Sequence, residues 1–79
     1  MSKGTVLIID DEDKLRSLLT RIISLENFSV TEAANARVGL KKVEQEEFNV
    51  VICDVKLPDA NGIELTQKYS TKRYVLFVA

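Results

Sequence analysis

Apolar residues follow two rhythms along this chain. "TVLIID" (5–10) is an unbroken, largely β-branched run, as a strand buried on both faces requires. "DKLRSLLTRIIS" (13–24) then spaces Leu15, Leu18, Leu19, Ile22 and Ile23 along one side of a helix, with Lys14, Arg16 and Arg21 on the other. Asp11 or Asp13 is expected to cap its start. "FSVTEA" (28–33) alternates and predicts a shorter, more exposed strand. "ARVGLKKVEQEE" (36–47) predicts a second helix with Ala36, Leu40 and Val43 inward, and "FNVVICD" (48–54) a second fully buried strand. "LPDANG" (57–62) is dense in turn residues and stops that strand. "IELTQKY" (63–69) has the length of two helical turns, and "YVLFVA" (74–79) suits a fourth strand.

Strand, helix, strand, helix, strand predicts parallel strands joined by helical crossovers. If the first crossover steps one way and the second returns past the first strand, the order is 2-1-3, and right-handed crossovers place the two helices on opposite faces. A fourth strand extends this to 2-1-3-4. The predicted fold is therefore α/β, a flavodoxin-like doubly wound parallel sheet, whose ligand crevice lies outside the carboxyl ends of strands 1 and 3. Those ends carry Asp10 and Asp11 on one strand and Asp54 on the other.

Composition narrows the picture. The chain has 79 residues, one domain with a small core. It is 46% hydrophobic and 29% charged with a net charge of −1, which argues against a nucleic-acid or acidic-membrane surface. Its one cysteine, Cys53, excludes an internal disulfide and suggests a reducing compartment. The N-terminal apolar run is too short for a signal peptide or a membrane span. The expected location is cytoplasmic.

Three carboxylates meeting in one crevice repel each other unless something positive sits among them. Oxygen ligands suit a hard cation such as Mg²⁺ or Mn²⁺. With no histidine and a lone cysteine, zinc is a poor fit. A carboxylate can also be the nucleophile in phosphoryl transfer. Simpler readings stand beside these. Acids in a first helical turn are favoured by the helix dipole, an acid after a strand is ordinary loop entry, and Cys53 is a small buried hydrophobe. Only the pairing of acids at the ends of strands 1 and 3 is specific.

"VLIIDDE" followed by "VVICDVKLPDANGIEL" resembles the receiver domain of bacterial two-component response regulators, over residues 4–68. The resemblance implies that Asp54 is the phosphoacceptor, charged by the phosphohistidine of a sensor histidine kinase. It implies that Asp11 binds Mg²⁺ (or Mn²⁺) directly, Asp10 mainly through water, and the backbone carbonyl of Lys56 as the third protein ligand. Pro58 and Gly62 would shape the following loop.

The likeness fades in the tail, 69–79. The family's strand-5 lysine has no counterpart, nor do strand 5 and the last helices, so the domain over 1–79 is expected to be incomplete, truncated after the fourth strand. Val78 stands where the family has a switch Ser or Thr. The leading expectation is a phosphorelay receiver module, not an enzyme, impaired by these losses. The alternatives are a non-signalling fragment that binds a kinase or regulator, and, more remotely, an Asp-nucleophile metal-dependent phosphatase, which would carry a second Asp where Lys56 stands. A nucleotide-binding flavodoxin-like protein would need glycines or hydroxyls where the acids are. A helix about 10 Å wide covers roughly two strands. The first helix alone on its face therefore predicts a homo-oligomer through the exposed sheet face or the edge of the fourth strand.

Overall fold

The first apolar run becomes β1 (Thr5–Ile9), with Val6, Leu7, Ile8 and Ile9 all buried. In this computed structural model residues 2–54 are described in full, and 56–57, 60–61 and 74–78 as strand backbone. After β1 come α1 (Asp13–Leu25), β2 (Ser29–Ala33), α2 (Ala36–Gln45), β3 (Val50–Asp54), β4 (Lys56–Leu57), β5 (Ala60–Asn61) and β6 (Tyr74–Val78). The main sheet has the order β2-β1-β3-β6 with every pairing parallel, so β6 takes the fourth place expected from the sequence. β4 and β5 form a small antiparallel pair. Pro58, Gly62 and the helix expected over 63–69 lie outside the described residues.

Local chemistry sets each boundary. The α1–β2 turn closes through Asn27, whose φ of 71° is a left-handed conformation that asparagine tolerates. α2 starts at Asn35, whose side-chain oxygen accepts the Val38 N–H at 2.9 Å. It ends at Gln45, two residues short of the expected 47. The strand expected from residue 48 starts at Val50. Asn49 is spent on fixing β3 to β1, accepting the Thr5 N–H at 2.8 Å through its side chain and donating its own N–H to Thr5 O at 2.9 Å.

The two faces of the sheet differ. On the α2 face Leu7, Ile9, Ala33, Ala36, Phe48, Val51 and Cys53 form one buried cluster, with Leu40 and Val43 against it. Gly39 lets α2 approach: a Cβ there would lie 2.5 Å from Ile9 Cδ1. Alternation sends Val6, Ile8, Val50 and Ile52 to the α1 face. There β3 is not the fully buried strand expected, because Val50 and Ile52 are only half-buried. α1 packs on β1 and β2, and one helix covers about two strands.

Candidate functional site

The carboxyl end of β1 runs directly into the acids. Asp10 is buried, 3% exposed, and a buried carboxylate needs hydrogen-bond donors. Its Oδ1 accepts the Glu12 N–H at 2.9 Å. That bond ties down the start of α1, where the N-cap is Glu12 and makes no side-chain cap. The expectation that Asp11 or Asp13 caps α1 is thus corrected. Asp10 turns the chain from inside, and Asp13, already in the first helical turn, pairs with Arg16 at 2.7 Å.

Asp54 ends β3, one strand over. Parallel pairing of β1 with β3 brings both carboxyl ends to one edge. One carboxylate oxygen each from Asp10, Asp11 and Asp54 lie within 4.8 Å of one another. Asp10 is buried, Asp54 half-buried and Asp11 exposed, so the cluster has a dry floor and an open mouth. The donors are all carboxylate oxygens, the set a hard divalent cation takes. Oxygens within 4.8 Å of one another are close enough to share a single cation. Lys56, expected to add its carbonyl, opens β4 two residues after Asp54. β6 pairs with β3 so that Asp54 has Val78 as its register partner, and valine carries no hydroxyl.

Arg16 was expected on the solvent side of α1. Its side chain is only 14% exposed. Nη1 donates to the Asp10 carbonyl oxygen at 2.7 Å, Nε to Glu32 at 3.0 Å and Nη2 to Asp13 at 2.7 Å. Burial lowers its pKa, but the bonds to Asp13 and Glu32 and their charges outweigh this and raise it. The sequence signal was available only in part, as an Asp and an Arg three apart on one helix face. Cys53 is wholly buried behind Asp54. Burial first, then the charges of Asp54 and Asp10, push its thiol up to about 11. It has no thiolate character at neutral pH.

Among the described residues no helix is long and apolar enough to cross a membrane. The family model "response regulator receiver domain" matches residues 6–79. The uncharacterized transcriptional regulatory protein YkoG of Bacillus subtilis (strain 168) is 34% identical over 68 residues, 86% of this chain and 30% of YkoG. The solved receiver domain of the hybrid histidine kinase CckA superposes with a TM-score of 0.85 at 27% identity, over 95% of this chain and 83% of that one. A response regulator protein from Burkholderia pseudomallei, solved with a phosphorylated aspartic acid and a calcium ion, superposes with a TM-score of 0.81 at 25% identity, over 95% of this chain and 47% of that one. The chain spans less than a third of the length of the curated relatives it matches. With the 2-1-3 sheet and the acids at its carboxyl edge, these matches place the chain in the response regulator receiver domain family, the phosphoryl-accepting signalling module of two-component systems.

Proposed function

We propose that Asp54 is the phosphoacceptor of this receiver module, acting in the cytoplasm as a signalling partner and not as an enzyme in its own right. An Asp54 carboxylate oxygen attacks the phosphorus of a phosphohistidine on a sensor histidine kinase. The P–N bond breaks, its electrons pass to nitrogen, which is protonated, and an aspartyl phosphate remains. Asp10, Asp11, Asp54 and the Lys56 carbonyl would hold Mg²⁺ or Mn²⁺, Asp11 directly and Asp10 mainly through water. When bound, the ion neutralises charge on the phosphoryl oxygens. Asp10 and Glu12 fix the loop so that little reorganisation accompanies the transfer. Residue 78, in register with Asp54, is a valine with no hydroxyl to donate to the phosphoryl group, so the switch that follows is weakened.

The observation that carries this reading is the convergence of three carboxylates from two strand ends within 4.8 Å. Mass spectrometry after treatment with acetyl phosphate and Mg²⁺ tests it. One phosphoryl group is expected on the parent chain and none on Asp54→Ala or with a chelator present. An unmodified parent would overturn it. Asp54→Ala still captured by a kinase that phosphorylates nothing in the parent would favour the binding-fragment alternative.

The homo-oligomer expected through the exposed sheet face or the edge of the fourth strand is further proposed, with α1, the helix over that face, supplying the contact between two copies. Leu18 and Ile22 are 52% and 50% exposed, on the helix that packs over β1 and β2, and Val50 and Ile52 of β3 are half-buried. A groove of about 450 Å³ there is lined by Asp13, Lys14, Ser17, Leu18 and Arg21. Two antiparallel α1 helices related by a two-fold axis near Thr20 bring Leu18 onto the other copy's Ile22 and Lys14 beside its Glu26. That patch is self-complementary in both apolar and charged positions.

A further inference from the structure

We infer that Arg16 is a positioning residue for the cation site, acting through the main chain of Asp10 and not through the carboxylates. The inference rests on the metal-site reading of Asp10, Asp11 and Asp54. The Asp10 carbonyl and the Asp11 N–H belong to one rigid peptide. Arg16 Nη1 holds that carbonyl at 2.7 Å, and Asp10 Oδ1 holds the Glu12 N–H at 2.9 Å. Asp11, the exposed member of the cluster, is thereby pinned from both sides. The Asp10 N–H is fixed as well, donating to Ala33 O on β2 at 3.1 Å.

Arg16 is itself anchored by acids outside the cluster. Glu32 on β2 takes Nε at 3.0 Å and Asp13 takes Nη2 at 2.7 Å. Its charge is thus matched by two carboxylates that the cation does not use. The guanidinium orders the acidic loop without serving as its counter-ion. A planar fork reaches three acceptors, on α1, on β2 and on the loop after β1; a lysine ammonium is a single point on a flexible stem.

Electrostatics and positioning predict opposite signs. A positive charge near a cation site repels the cation, so loss of Arg16 by charge alone would tighten binding. Positioning predicts weaker binding, by about ten-fold, the size seen when groups that orient metal ligands are removed. The test is Mn²⁺ titration of the full chain, with free Mn²⁺ read by electron paramagnetic resonance, on the parent, Arg16→Lys and Arg16→Gln. Hydrogen exchange at the Glu12 amide is followed in parallel. The expected result is weaker Mn²⁺ binding in both variants and faster exchange at Glu12, with the sheet amides of β1 still protected. Arg16→Lys keeps the charge and the stem among the same acids, so it carries the test if Arg16→Gln does not fold. Parent-like or tighter Mn²⁺ binding by Arg16→Lys overturns the positioning role while leaving the metal site standing. A parent chain that takes up no Mn²⁺, or binds it equally after Asp11→Asn, overturns the metal site and the role of Arg16 with it.

Discussion

The two faces of the sheet are built from the same strands yet close to different degrees. On the α2 side, Leu7, Ile9, Val51 and Cys53 are each fully buried, sealed by Ala36 and Phe48 and by the close approach at Gly39. On the α1 side, Val6 and Ile8 are buried, but their register partners Val50 and Ile52 are half-buried, and no α1 residue is fully buried. Strand patterning cannot account for this, since both faces of β1 and β3 are apolar. Coverage does. A helix shields about two strands, and among the described residues the α2 face has Phe48 as an additional plug where the α1 face has α1 alone. The acids sit at the sheet edge between these faces. Asp10 is tied into the sheet by Ala33 and into α1 by Glu12 and Arg16.

Truncating one core residue on each face gives the sharpest contrast. Leu7→Ala empties a site in the closed cluster and is expected to cost about 3–4 kcal/mol, whereas Ile52→Ala, with solvent already at its side, is expected to cost about 1 kcal/mol. Chemical denaturation of the two variants at one protein concentration measures both. Equal losses would show that the α1 face is as closed as the other.

A second contrast uses pH. Cys53 lies on the closed face, and its thiol is raised from 9.0 to about 11. The folded chain therefore keeps the proton where the unfolded chain loses it. This group's stabilising contribution is complete below about pH 9 and is lost as pH rises from there to about 11, up to about 3 kcal/mol. Other groups titrate in the same window, so the comparison is with Cys53→Ala, whose stability should fall less between pH 8 and 11. Matching slopes would mean that the thiol is reached by solvent in the folded state.

How much of this was legible in the sequence follows from which interactions are local. The strand and helix spans came from hydrophobic rhythm, and the order β2-β1-β3 from crossover handedness, because both depend on short-range pattern and chirality. The meeting of Asp10, Asp11 and Asp54 followed from topology, since parallel strands share their carboxyl edge. What stayed hidden depends on side chains crossing between elements. Arg16 looks like one of three cations on a polar helix face, and only the position of Glu32 on β2 reveals that it turns inward. Asp10 replaces Asp11 and Asp13 in fixing the helix start because a buried carboxylate takes the nearest N–H. Nothing in "NARVGL" says that Gly39 meets Ile9. The half-burial of Val50 and Ile52 reflects which strands α1 covers, a property of the assembled sheet.

The smallest effect on the folded chain, and the most direct probe of its open face, comes from Leu18 and Ile22. Both are about half exposed, so replacing them removes little packing within one copy. Leu18→Lys with Ile22→Lys is expected to change monomer stability by no more than about 0.5 kcal/mol, as is usual for surface positions. Its effect on association should be much larger. In the antiparallel α1 arrangement each two-fold contact sets residue 18 against residue 22, so the double variant places lysines against lysines twice. Lys14, one turn away, adds to the repulsion. Light scattering at micromolar concentration should show a concentration-dependent dimer for the parent and a monomer for the variant. The melting temperature should rise with concentration only in the parent, because association stabilises the folded state by mass action. A parent that stays monomeric, with a melt independent of concentration, would remove the second-copy proposal. A variant that unfolds would instead show that these two side chains are already packed within a single copy, and the contrast between the two faces would be lost.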